Sequence, residues 1–184
     1  GDGDSNLPFA INSGTGAITV NDADDIDRET TASYTLEISI SDGTGPAVTE
    51  NVVVTITDVD DNNPAFADET ASANVDEGTT TVGTYTGTDA DSGDTLEYAI
   101  VASGTNAASV DHDLFSINSA TGALSFASAP DFENQGCGAN NDDEVCVVVI
   151  SISDGSGAVD TMTITATVVD TNDNAPEFTA GGAA

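Results

Sequence analysis

Apolar and polar residues alternate at period two along several stretches of the chain. Tyr34-Thr35-Leu36-Glu37-Ile38-Ser39-Ile40-Ser41 puts its apolar side chains on one side, the pattern of a half-buried strand. Val52-Val53-Val54-Thr55-Ile56 is a β-branched run of the same kind, as are Cys146 to Ile152 and Met162 to Val169. Between these runs lie Asn12-Ser13-Gly14-Thr15-Gly16 and Ser41-Asp42-Gly43-Thr44-Gly45, whose Asx and glycine residues predict tight turns. No helical periodicity extends over a useful length, so the pattern predicts an all-β chain.

Composition narrows the function. The 184 residues carry 33 acidic side chains against a single cation, Arg28, for a formal charge of −32. One arginine cannot neutralise a row of phosphates, so nucleic-acid binding is excluded, and so is attraction to an anionic membrane. No apolar run approaches the length of a membrane span, and there is no signal-peptide pattern. The first residue is Gly1 rather than Met, which reads as a processed product or an excerpt. Chains this acidic are often disordered. The organised strand pattern argues for a folded one.

The sequence repeats itself. Phe9-Ala10-Ile11-Asn12-Ser13-Gly14-Thr15-Gly16-Ala17-Ile18 returns as Phe115-Ser116-Ile117-Asn118-Ser119-Ala120-Thr121-Gly122-Ala123-Leu124. Asp27-Arg28-Glu29 returns as Asp131-Phe132-Glu133, and Ile38-Ser39-Ile40-Ser41-Asp42-Gly43 returns as Ile150-Ser151-Ile152-Ser153-Asp154-Gly155. Asp58-Val59-Asp60-Asp61-Asn62-Asn63-Pro64 returns as Asp170-Thr171-Asn172-Asp173-Asn174-Ala175-Pro176, which sets a module of 112 residues from Pro64 to Pro176. Carboxylates packed so densely repel one another unless a cation lies between them. Hard oxygen ligands in irregular coordination suit Ca²⁺, and no Cys/His cluster offers itself to zinc, because His112 stands alone. The alternative is a solvated acidic face. It fits the scattered acids Asp2, Asp4, Asp142, Asp143 and Asp160 better than the repeated clusters, since solubility does not demand fixed spacing.

Four motifs in the same order resemble the cadherin repeat, whose hallmark is a D-x-N-D-N-x-P segment. The second copy matches it at every fixed position, and the likeness runs from Phe9 to Phe178. Glu77, in Asn74-Val75-Asp76-Glu77-Gly78, and the pair Asp89-Ala90-Asp91 occur once only. The resemblance implies Greek-key β-sandwich modules in tandem. Residues 1–63 form the latter part of one module without its first strands, 64–176 a complete module, and 177–184 the start of a next module or a donor tail. It also implies Ca²⁺ at the junctions. Ligands of one junction are Asp27, Glu29, Asp58, Asp60, Asp61 and the carbonyl of Asn62, joined by Asp89, Asp91, Asp154 and the carbonyl of Gly93. Glu77, Asp131, Glu133, Asp170, Asn172 and Asp173 form a second half-site, and Asp42 points towards a junction upstream. Asp60 replaces the usual asparagine, and the upstream glutamate is absent.

Cys137 and Cys146 are nine residues apart, and Cys137 lies in an insertion relative to the first copy. A local disulfide fits an extracellular protein; two free thiols are the alternative. An enzyme is not expected: there is no lysine, and no Ser or Cys has a base beside it in sequence. Asp111-His112-Asp113 reads as a solvent-facing turn before the strand at Phe115. The expected function is an extracellular, cell-surface structural or adhesive protein. Its partners are adjacent modules or neighbouring copies of the chain. Ions stiffen a rod or fibre, and strand complementation could add head-to-tail polymerisation. Homophilic cell adhesion and carbohydrate binding are the alternatives. Acidity without lysine, together with Ala, Thr and Gly richness, resembles a prokaryotic or marine surface protein more than a vertebrate cadherin.

Overall fold

The computed structural model describes residues 7–102, 110–134, 136–137 and 144–176. Asp2, Asp4, Asp142, Asp143 and the 177–184 tail fall outside them. The described residues are β-strands joined by turns, and no helix among them is long and apolar enough to cross a membrane. The chain divides into two compact units. The first comprises the residues up to Asn62 together with Ala90–Gly93, and the second comprises Asn63–Asp89 and the residues from Asp94 onward.

The second unit is a sandwich. One sheet contains β6 (Thr70–Asp76), β13 (Val159–Val169), β12 (Val145–Ser153) and β9 (Glu97–Val101), in that spatial order. The other contains β10 (Phe115–Ile117), β11 (Ala123–Phe126) and β7 (Thr81–Thr84), and a short pair joins β5 (Ala65–Phe66) to β8 (Gly87–Thr88). β6 runs parallel to β13, whereas β12 is antiparallel to both its neighbours. Alternation along β13 sends Met162, Ile164, Ala166 and Val168 inward, where they meet Val148, Ile150 and Ile152 of β12 and Leu124 and Phe126 of β11. Phe115 and Phe126 stack at 4.6 Å. Burying this set of apolar side chains is the main stabilising term of the unit.

The repeated Asn-x-x-x-Gly turns have a local explanation. Asn118 accepts the amides of Ala120 and Thr121 on Oδ1, and Asn12 does the same for Gly14 and Thr15. Each turn ends on a glycine in the left-handed region, Gly122 at φ +68° and Gly16 at φ +73°. A Cβ at Gly122 would also collide with the carbonyl oxygen of Tyr85, so two constraints coincide there.

The first unit is two hairpins, β1 (Phe9–Ile11) with β2 (Ile18–Val20) and β3 (Ser33–Ile40) with β4 (Val48–Thr55). Phe9 and Tyr34 meet edge to face at 5.1 Å. No apolar side chain of this unit is fully buried among the described residues, and Ile40 and Val48 are 73% and 68% exposed. The repeat explains why. In the second unit β12 pairs on its far side with β9, and β13 with β6, while β3 and β4 pair only with each other. The position of Met162 is taken by Glu50, which puts a charge on the face that forms the core of the sandwich.

Two expectations fail here. Asp160 does not belong to a solvated face: its Oδ2 accepts the Phe66 amide at 2.8 Å and its Oδ1 accepts the Thr161 amide at 2.7 Å, anchoring β5 to the start of β13. Asp111 is not solvent-facing, because it is 5% exposed and its Oδ2 accepts the Val147 amide at 2.7 Å. The following short 3₁₀ turn, His112–Leu114, does lead into β10. Both acids serve strands that are distant in sequence, a role that local composition does not show. Replacing Asp160 with Ala should cost about 1–2 kcal/mol, by stranding the amide of a buried residue, while Asp68→Ala on the exposed surface should stay within about 0.5 kcal/mol. Urea unfolding of the two variants checks the difference.

Candidate functional site

The first acidic cluster belongs to the first unit. Ligand atoms of Glu29, Asp61 and Asp91 lie within 4.8 Å of one another. Glu29 sits on the loop between β2 and β3, Asp61 on the segment after β4, and Asp91 on the short Ala90–Gly93 stretch. Asp91 is only 6% exposed. Its Oδ2 accepts the amides of Asp61 and Asn62 at 3.0 and 2.7 Å, and its Oδ1 accepts the side-chain amide of Asn62 at 2.8 Å. Asp58 is held by Ser92, whose amide and hydroxyl donate to Oδ2 at 3.0 and 2.7 Å. Its Oδ1 is buried with no hydrogen-bond donor.

The electrostatics match the crowding. Desolvation holds the Glu29 carboxyl above the ordinary glutamate range, and the carboxylates of Asp58 and Asp91 push it the same way. Asp58 lies below its usual range, chiefly through the Ser92 hydroxyl. Asp27 is lowered by Thr30, whose hydroxyl and amide both donate to it. Asp27 is thus spent on its own turn, and Asp60 is exposed on the same segment as Asp61. Gly93 is exposed, at φ +105°.

The second cluster, Glu77, Asp131 and Glu133, lies within the second unit and has the same 4.8 Å span. Glu77 follows β6 and is 5% exposed. Its Oε1 accepts the Thr171 amide at 2.7 Å and its Oε2 the Phe132 amide at 2.8 Å, so it ties two loops together while keeping its charge. Those amides, Thr171 first and Phe132 second, hold its pKa below the ordinary range. Asp170, Asn172 and Asp173 are exposed on the segment after β13, whose Thr171 donates to Glu77; Asp173 accepts the side-chain amide of Asn174. Asp89 follows β8. Asp154 accepts the amide and hydroxyl of Ser156 on Oδ1, which lowers its pKa, while its Oδ2 is buried without a donor. Asp42, its counterpart in the first unit, is exposed and capped by the Thr44 amide.

These donor sets fit a hard cation. They consist of carboxylate oxygens without sulfur or imidazole, and Asp58 and Asp154 each aim a buried carboxylate oxygen at no protein donor. The orienting partners Ser92 and Thr171 were not singled out from the sequence. Asp27–Thr30 and Asp154–Ser156 are local pairs that an Asx or Ser/Thr turn rule finds, but Ser92 reaches Asp58 across 34 residues. The cysteines form a disulfide, Cys137–Cys146.

The lowered pKa of Glu77 has a pH consequence. Its carboxylate stabilises the fold above the ordinary glutamate pKa of about 4.3, and this contribution is lost as pH falls through the lower folded value. The metal-free chain should therefore lose thermal stability as pH is taken below about 4.3. Glu77→Gln should melt lower at neutral pH and respond less over the acid window. Thermal melts across pH check both, and parallel curves for the two proteins would contradict it.

No family model matches the chain. It is 30% identical over 182 residues to the protocadherin-like wing polarity protein stan of Drosophila melanogaster, covering 95% of this chain and 5% of that protein. It is 34% identical over 188 residues to human cadherin-4, covering 94% of this chain and 19% of that protein. The chain thus spans a fifth or less of these curated relatives. Among solved structures it is similar to mouse cadherin-23 EC22-24, with TM-score 0.69, 24% identity, and coverage of 89% of this chain and 50% of that one. Chicken VE-cadherin EC1-2 gives TM-score 0.68 at 22% identity, covering 89% of this chain and 78% of that one. These relatives are animal proteins and lend no support to a prokaryotic or marine source. The sandwich and the acidic clusters, set beside these matches, show a chain of cadherin-like β-sandwich domains of the extracellular, cell-surface kind.

Proposed function

We propose that the chain is a calcium-binding structural and adhesive segment, in which Ca²⁺ held by the acidic clusters keeps the modules ordered. The observation that carries this reading is that buried carboxylate oxygens, Asp58 Oδ1 and Asp154 Oδ2 among them, have no donor in a chain of formal charge −32. Leaving such atoms unsatisfied is costly, and repulsion among the neighbouring acids adds to that cost. Divalent cations relieve both at once. Glu29, Asp61 and Asp91 would hold an ion in the first unit, with Asp58, which interacts with Glu29, and Asn62 beside them, and Glu77, Asp131 and Glu133 would hold one in the second.

The proposal takes residues 1–63 as the latter part of one module, 64–176 as a complete one and 177–184 as the beginning of another. Bound ions would then stiffen successive modules into a rod, whose partners are adjacent modules or further copies through homophilic contact. The open edges of β3 and β4 and the exposed Ile40, Val48 and Val53 also support strand complementation, a neighbouring strand completing the first unit and building a head-to-tail polymer.

Chelation tests the central part. A cation at 100 times its dissociation constant stabilises the folded state by about 2.7 kcal/mol, so EGTA should lower the thermal midpoint by several degrees. Asp61→Ala should reproduce much of that loss in calcium and weaken binding measured by calorimetry, and Asp68→Ala should not. An unchanged melting curve would overturn the calcium reading. Light scattering of the same calcium-loaded sample separates a polymer from a monodisperse monomer, and a monodisperse monomer would remove strand complementation.

A further inference from the structure

The two units fasten the same acidic loop in chemically different ways. Tyr34 and Cys146 occupy equivalent positions, since Tyr34 faces Val54 across β3 and β4 while Cys146 faces Ala166 across β12 and β13. Both partners keep the 112-residue offset of the repeat. In the first unit the Tyr34 hydroxyl donates to the carbonyl oxygen of Asp25 at 3.0 Å, two residues before Asp27 and four before Glu29. In the second unit Cys146 bonds to Cys137, four residues after Glu133. One strand position thus reaches the acidic loop from opposite sides, once by a hydrogen bond and once covalently.

The loop needs such an anchor. A cleft of about 290 Å³ lies beside it, lined by Leu114, Phe126, Pro130, Asn134, Cys137 and Val168, so the segment is not packed flat on the sandwich. Phe132 packs against the core and its amide is fixed by Glu77, which secures the middle of the Asp131–Glu133 trio. Beyond Glu133, Asn134 bonds back to Asp131. The disulfide then ties Cys137, 3% exposed, to the fully buried Cys146. In the first unit Arg28 replaces Phe132, so that trio lacks the aromatic anchor and Tyr34 supplies the link to the strand.

We propose that Tyr34 in the first unit and the Cys137–Cys146 bridge in the second are equivalent positioning elements that hold the Glu29 carboxylate and the Asp131 and Glu133 carboxylates, respectively, in place for cation binding. This rests on the calcium reading above and assigns to each cluster its own support. Outer contacts that orient metal ligands typically change affinity by about 10- to 100-fold when removed. The effect should be selective for the cluster that loses its tether.

The test is calcium titration calorimetry at a temperature where circular dichroism shows each protein folded. An Asp61→Asn background reads the second cluster, and an Asp131→Asn background reads the first. Cys137→Ser with Cys146→Val should weaken the second cluster about tenfold and leave the first unchanged; Tyr34→Phe should do the reverse. A purely structural role would lower the melting temperature without this selectivity, so unchanged affinities, or equal losses at both clusters, would overturn the proposal. Hydrogen exchange of the Phe132 and Asn134 amides in calcium-free protein separates the two claims. Faster exchange in the cysteine variant without any calcium binding supports the tether and sinks the calcium reading. Wild-type exchange rates in that variant overturn the tether itself.

Discussion

Carboxylate repulsion is the constraint on which this structure turns. With 33 acidic side chains and one arginine, ion pairing within the chain cannot balance the charge. The fold uses a different device at each conspicuous acid. Glu77 and Asp111 are buried yet face backbone amides, Asp160 accepts two, and Asp91 takes donors from Asp61 and Asn62. The amide donors make these acids structural fasteners. What they leave over, the donorless oxygens of Asp58 and Asp154 and the raised Glu29, is the part that the proposed cation would satisfy.

The two units show how the same motifs behave with and without a complete sandwich. In the second, strands on both sides of β12 and β13 complete a sheet, and a second sheet closes over Ile150, Ile164 and Leu124. In the first, equivalent strands and turns are present without those flanking strands: the Asn12 turn, the β3–β4 hairpin and the Phe9–Tyr34 contact. Yet the apolar face stays largely in contact with solvent. Local propensity specifies the hairpins, whereas burial needs partners distant in sequence. The acidic loop is therefore linked to its strand in the first unit by the Tyr34 hydroxyl and in the second by packing, amides and a disulfide.

Much of this was legible in the chain. Alternation located β3, β4, β12 and β13 within a few residues, because each has one face to bury, and the repeat aligned the two copies. The acidic motifs led to Glu29, Asp61 and Asp91, and to Glu77, Asp131 and Glu133, because carboxylates at fixed spacing are conspicuous against a background of Thr and Ala. Sequence misjudged Asp160 and Asp111, whose partners Phe66 and Val147 lie 94 and 36 residues away. A lone aspartate that caps a distant strand looks the same in sequence as one in solvent. It also grouped Asp170, Asn172 and Asp173 with Glu77 but did not single out Thr171, between them, whose amide donates to the glutamate.

Direct observation of the ion tests the account most sharply. Crystals of the chain grown in millimolar calcium, measured at a long wavelength, should give anomalous difference peaks among Glu29, Asp61 and Asp91 and among Glu77, Asp131 and Glu133, with oxygen ligands about 2.3–2.6 Å from each peak. Carboxylates splayed apart around water, with no anomalous signal at either cluster, would contradict it.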